Sequence, residues 1–176
     1  MKKLYPEIPY LQRDELVLRR LEITDAKALE ELTNNERVYR YLPTFLYEKK
    51  YSDPVYIIEH LYDECFEESL ILGAFLDGEF CGLAEMYGFR DEVHKISVGY
   101  RFCERFWGKG IASRVLSMMI DHLYNETNIE IITASTMIEN TASACVLKKN
   151  GFELVVHDTV EGWGFPSPTR VDKWIR

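Results

Sequence analysis

Arg105-Phe106-Trp107-Gly108-Lys109-Gly110-Ile111-Ala112 is the stretch that decides the fold. Before it, Ile96, Val98, Tyr100 and Phe102 alternate with Lys95, Ser97, Gly99 and Arg101. That two-residue period predicts a β-strand with two unlike faces. After it, Ile111, Val115, Leu116, Met119, Ile120 and Leu123 recur at the spacing of an amphipathic helix. Between strand and helix, two glycines let the backbone turn tightly and approach a ligand closely. The amides that open the helix have no intrahelical partners and lie at the positive end of its dipole. Such a turn suits an anion, a pyrophosphate for example, and Arg105 and Lys109 add positive charge. On spacing alone, an ordinary surface turn accounts for it equally well.

Working outward, residues 16–19 read as a first strand, and Thr24 and Asp25 offer a cap ahead of Ala28, Leu29 and Leu32. Asn34-Asn35 ends or interrupts that helix. Ser52-Asp53-Pro54 starts another, with Ile58, Leu61, Tyr62, Cys65 and Phe66 at helical spacing. Residues 70–76 and 80–87 flank Asp77-Gly78, a two-residue hairpin signal. A strand over 129–137 precedes a helix over 141–149, which Gly151 terminates. Strands over 153–160 and 169–175 close the chain, joined by a loop rich in glycine, proline and aromatic residues. The pattern predicts an α/β chain: one domain over residues 1–176, with a mixed sheet of about six to seven strands and helices on its faces.

The composition fits one soluble globular domain of 176 residues, 47% of them hydrophobic and 28% charged. A net charge of -8 argues against a general nucleic-acid binder and favours cationic partners. No apolar run reaches the length of a membrane span, and Met1-Lys2-Lys3-Leu4-Tyr5-Pro6 lacks the apolar core of a signal peptide. Cys65, Cys81, Cys103 and Cys145 form no Cys-x-x-Cys pair, and the histidines show no ligand spacing, so no metal site is expected. Scattered cysteines of this kind fit reduced thiols in the cytoplasm.

The type of anion narrows further. The chain lacks Gly-x-x-x-x-Gly-Lys-Ser/Thr, which a nucleotide-hydrolase loop needs. Gly108-x-Gly110-x-x-Ser113 comes near a dinucleotide fingerprint, but the acidic residue about twenty positions on is Glu130, at the start of its strand rather than the end. A nicotinamide or flavin enzyme is disfavoured.

Arg105-x-x-Gly108-x-Gly110 resembles the Arg/Gln-x-x-Gly-x-Gly/Ala signature of the GNAT superfamily of acetyl-CoA-dependent N-acetyltransferases. Asn140-x-x-Ser143 followed by Lys149-Asn150-Gly151-Phe152 is similar to the second half of that pattern. The ribosomal-protein N-terminal, Rim-type, acetyltransferases are the subgroup most similar. The element order agrees over nearly the whole chain, and the motifs cover about residues 96–152.

The resemblance implies a sheet splayed at its centre, with acetyl-CoA held where strands 96–102 and 129–137 part. It places the backbone near Tyr100 and Phe102 against the pantetheine arm and counts Arg105 among the cofactor-binding residues. The amides of Gly108, Lys109, Gly110, Ile111 and Ala112 fall on the pyrophosphate, and Asn140 and Ser143 near the sulfur. The acceptor is an amine on a small molecule or a peptide, and relatives are monomers or homodimers. The chemistry needs a neutral amine, donors for an oxyanion and a proton for the departing thiolate.

Two departures matter. Many relatives carry a tyrosine as general acid where this chain has Leu147, and many carry a glutamate where it has Ser97. Ser143 is then the candidate acid, with Glu85 or His94 as candidate base. Each has an ordinary structural explanation as well. Lys148 and Lys149 near a cofactor phosphate, Trp107 over the pyrophosphate and the acidic run Asp63-Glu64, Glu67-Glu68 are open in the same way. So are Tyr39, Tyr41 and Phe45, in a segment that forms part of the acceptor site in relatives. The loss of both usual side chains leaves an alternative: a domain that binds acyl-CoA without catalysing transfer.

Overall fold

The computed structural model describes residues 4–64, 66 and 69–176. Cys65, Glu67 and Glu68, given above to a helix and an acidic run, lie outside the described residues. Strands β1 (Leu11–Arg13) and β2 (Leu16–Arg19) lead into helices α1 (Ala26–Thr33), α2 (Glu36–Tyr39) and α3 (Pro54–Glu64). Strands β3 (Ser69–Leu76), β4 (Glu79–Arg90) and β5 (Lys95–Phe102) follow. Then come α4 (Ile111–Glu126), β6 (Ile131–Met137), α5 (Thr141–Lys149), β7 (Glu153–Glu161) and β8 (Thr169–Ile175). The sheet order is β1-β2-β3-β4-β5-β6-β8-β7.

The sheet has eight strands, one more than the upper end of the expected six to seven. The extra strand, β1, is an edge of three residues paired to β2, with Gln12 and Arg13 exposed. Only Leu11 is partly buried, so three residues are too few for apolar alternation to mark the strand. The hairpin forms where Asp77-Gly78 predicts it: both residues adopt positive φ, 50° and 80°, as a tight turn between twisted strands requires. Asn35 does interrupt the first helical stretch, its side chain accepting from the Arg37 amide to start α2.

The functional consequence lies at β5 and β6. They pair in parallel over only three positions, Lys95 with Ile131, Ile96 with Ile132 and Ser97 with Thr133. Beyond Ser97 they diverge, while β6 continues pairing with β8 as far as Met137. The open edge is therefore at the carboxyl ends of two parallel strands, where α/β sheets hold ligands. Successive residues on a strand face opposite sides. Arg101 meets Glu48, from the segment between α2 and α3, while Tyr100 meets Ser143 on α5. The α1–α3 region and the α4–α5 pair thus cover opposite faces of the sheet. The core between them includes fully buried Leu29, Leu72, Leu116, Met119, Leu123 and Ile132.

Candidate active site

The splay opens into a cleft of about 970 Å³. Its α5 wall carries Asn140, Ser143 and Leu147; its sheet wall carries Glu85, Tyr87, Ser97, Gly99, Tyr100 and Arg101. Tyr41, Phe45 and Tyr47 face them from the α2–α3 segment, together with Gly162 and Trp163 from the β7–β8 loop. These last two walls are joined: the Thr44 amide donates to the Trp163 carbonyl at 2.9 Å. Gly164 makes that approach possible, because its φ is 85° and a Cβ there would overlap Thr44 Oγ1.

The glycine turn lies beyond the end of β5. Gly108 and Gly110 both have positive φ, 69° and 76°, with open space where a Cβ would sit. Glycine is needed there for backbone conformation, not for room within the protein. Among the described residues, the amides of residues 108–112 donate no backbone hydrogen bond. The first intrahelical bond after the turn runs from the Arg114 amide to the Gly110 carbonyl. A run of unpartnered amides at a helix start fits a pyrophosphate, and this is the feature by which the chain could hold a CoA-type ligand.

The expected site residues fall into distinct places. Tyr100, Asn140, Ser143 and Glu85 all line the cleft. Asn140 Oδ1 accepts from the Ser143 amide at 3.2 Å, so this side chain caps α5 and holds Ser143 in position. Phe102 is buried in the core, and its carbonyl accepts from Trp107 Nε1 at 2.8 Å. Arg105 turns to the β3–β4 hairpin, with Nε 2.9 Å from Glu79 Oε1. Lys109, Ile111 and Ala112 stay with the glycine turn. His94 is not brought to the cleft. It sits in a left-handed conformation at the opposite, paired end of β5. Its carbonyl accepts the Glu130 and Ile131 amides, and its Nδ1 lies 3.0 Å from Glu130 Oε1. A strand reading gives residue order but not which end of a sheet opens.

Glu85 lies on the cleft floor but is already engaged. Oε1 accepts from Ser69 Oγ at 2.6 Å and Oε2 from Arg101 Nη1 at 2.7 Å. Arg101 Nε is also 2.5 Å from Glu48 Oε1, which accepts from Tyr39 Oη at 3.0 Å. Burial acts to lower the Arg101 pKa, but Glu48, Glu85 and Tyr39 outweigh it, and the guanidinium is held fully charged. Burial and then Glu48 hold the Tyr39 phenol protonated. The sequence reading missed this buried Glu48–Arg101–Glu85 network. Its one local sign was an arginine in the apolar strand β5; its partners come from distant segments.

Glu161, also in the lining, is similarly paired, with Lys173 and Trp163 Nε1 as donors. Burial would raise its pKa, but these two hydrogen bonds outweigh that and lower it. Burial, followed by the charges of Glu85 and Glu161, pushes the Tyr87 phenol up to about 12. Ser97 shares a hydrogen bond of 2.8 Å with Thr133 Oγ1 across the last paired rung. Leu147 is buried and presents only hydrocarbon to the cleft.

Comparison with known proteins agrees with this architecture. The chain is 26% identical over 145 residues to an uncharacterized N-acetyltransferase, p20, of Bacillus licheniformis, covering 81% of this chain and 82% of that one. It superposes on the microcin C7 self-immunity acetyltransferase MccE, crystallised with acetyl-CoA and AMP, with a TM-score of 0.79, 20% identity and 93% of each chain covered. RimL, a ribosomal L7/L12 alpha-N-protein acetyltransferase, matches with a TM-score of 0.78, 18% identity and 98% of each chain covered. A family model described as the acetyltransferase (GNAT) domain matches residues 15–153, most of the chain, and the protein belongs to that family.

Proposed function

We propose that the protein transfers an acetyl group from acetyl-CoA to a primary amine, on a small molecule or a protein N-terminus, by direct attack within a ternary complex. The observation that carries this reading is the pairing of two features along one strand. Unpartnered amides at residues 108–112 follow β5, and a large cleft opens where β5 leaves β6. A pyrophosphate on the turn would let a pantetheine arm reach along β5 past Tyr100 toward Ser143. Lys109 lies within that turn, while the Arg105 side chain is engaged by Glu79. Bound acetyl-CoA would supply the activated acyl group.

The chain's own residues would then do the following. A carboxylate offers about four lone-pair positions, and Glu85 uses two of them on Ser69 and Arg101. It keeps others to accept from an incoming amine and to draw off its proton. Ser143 at the start of α5 would donate to the departing sulfur. His94, remote from the cleft, has no part in this scheme. MccE was crystallised with acetyl-CoA, and another structural neighbour is a spermidine N-acetyltransferase with CoA and spermine bound, which supports both the cosubstrate and the amine class. Cys81 and Cys103 are buried free thiols, which suits a cytoplasmic location.

Calorimetric titration with acetyl-CoA, using NADH and ATP as controls, tests the reading, followed by CoA-release assays over an amine panel. Binding of acetyl-CoA with turnover supports transfer. Binding without turnover of any amine would favour the non-catalytic alternative, for which the buried hydrocarbon of Leu147 is the observation. No binding would overturn both.

A further inference from the structure

We propose that Tyr100 is a positioning residue: its buried phenol donates to Ser143 Oγ when the cleft is occupied and so turns the Ser143 hydroxyl hydrogen toward the departing sulfur. The inference rests on the acetyl-CoA reading above.

Tyr100 Oη is buried and has no hydrogen-bond partner among the described residues. An unsatisfied buried hydroxyl is costly and asks for an explanation. Tyr100 and Ser143 both line the cleft, and the Ser143 hydroxyl is the polar neighbour that acts on the phenol, although it completes no hydrogen bond with it here. The phenol itself is held in place. Tyr100 pairs with Ala84 across β4, and its ring packs against Phe102 with centroids 5.8 Å apart.

Ser143 is fixed in a different way. Asn140 Oδ1 holds its amide at 3.2 Å, which fixes the backbone at Ser143 and leaves the side-chain torsions free. A serine hydroxyl both accepts and donates, and its hydrogen rotates to suit. Once Oγ accepts from Tyr100, its own hydrogen must point elsewhere, and the open direction is the cleft. Leu147, one turn further along α5, offers no competing donor there.

Burial pushes the Tyr100 phenol up to about 12, with Ser143 offsetting this in part, so the phenol keeps its hydrogen throughout the neutral range. It therefore orients and does not titrate. In the transfer the C–N bond forms and the thioester C–S bond breaks, with the electron pair staying on sulfur. The amine's surplus proton leaves to Glu85 or water. Ser143 donates a hydrogen bond to the thiolate, and water later protonates it.

The bound CoA thiol reports this directly and needs no acceptor. Its ionisation is followed by thiolate ultraviolet absorbance, as the difference between CoA-loaded and CoA-free protein. In the wild type the bound thiol should ionise at lower pH than free CoA. In Tyr100→Phe the thiolate fraction at a fixed pH on the lower limb should fall about tenfold, one pKa unit. Ser143→Ala should do the same, and the double variant should lose no more than either single one. Affinity for desulfo-CoA should be equal in wild type and Tyr100→Phe, because neither hydroxyl then has a sulfur to serve. Wild-type thiol ionisation in a Tyr100→Phe protein that still binds CoA would overturn the inference and leave the acetyl-CoA reading standing. If the wild type binds neither CoA nor desulfo-CoA, the acetyl-CoA reading itself fails, and the inference with it.

Discussion

Arg101 Nη1 lies 2.7 Å from Glu85 Oε2 on the cleft floor, with both side chains nearly closed to solvent. Glu48 completes the network from the far wall. One cation between two carboxylates ties the α2–α3 segment to β5, so the same contact shapes the cleft and holds the fold. Removing the cation would leave two buried carboxylates without it. Arg101→Met should therefore destabilise the protein by about 3–5 kcal/mol, read from urea unfolding midpoints. Glu48→Gln should cost less, because Arg101 keeps Glu85. Equal stability of Arg101→Met and wild type would show that the network contributes nothing.

The glycine turn gives a contrast based on charge. Aspartate and asparagine both tolerate positive φ better than most residues. Gly110→Asp should reduce acetyl-CoA affinity at least about a hundredfold, by placing a carboxylate where the amides await a phosphate. Gly110→Asn should keep most of the binding, with unfolding midpoints similar in both variants. Equal affinities in the two, by calorimetry, would remove the anion role from the turn.

The wall contact at Gly164 is a matter of space. An alanine there meets Thr44 Oγ1 and must also hold a φ of 85°. Left-handed backbone alone costs roughly 1–2 kcal/mol for a residue with a Cβ. Gly164→Ala should lower stability by at least about that much, and Thr44→Ser should recover none of it, since the clashing oxygen remains. Thr44→Ala should recover part. Thermal melts of the four proteins decide this.

Acid stability carries a sign that can be checked at Glu161. Its pKa in the folded chain lies below the ordinary 4.5. The stabilisation is therefore present above about 4.5 and is lost as pH falls through the folded value. Glu161→Gln should be less stable than wild type at neutral pH, and the gap should close as the pH falls through the folded-state value. A gap that is constant from neutral to acid would mean that ionisation of Glu161 is not linked to folding.

Thiol reactivity follows burial. The Cys81 thiol is pushed up to about 12 by burial, with Cys103 adding to this, and it donates to the Ala74 carbonyl at 3.1 Å. Cys145 is exposed on α5. Iodoacetamide at neutral pH should label Cys145 well before Cys81 or Cys103, as mapped by peptide mass spectrometry.

Much of this protein was legible in its sequence because the relevant physics is local. Alternation in β5, the Asp77-Gly78 turn, the helical spacing after Gly110 and the helix end at Gly151 each depend on neighbours within a few residues. Their positions in the structure agree with that reading. Edge strand β1 escaped because three residues, two of them exposed, are too short a run to show alternation. What only the tertiary structure decided is which residues meet. Pairing between β5 and β6 stops after Ser97, and this excludes His94 from the cleft while admitting Tyr100 and Ser143. Glu48 and Glu85 are 37 positions apart in the chain, yet they share one arginine. Sequence patterns encode local geometry and burial. Partnership across a sheet depends on where parallel strands part and on which distant segment is packed over the gap, and no short stretch of sequence contains that information.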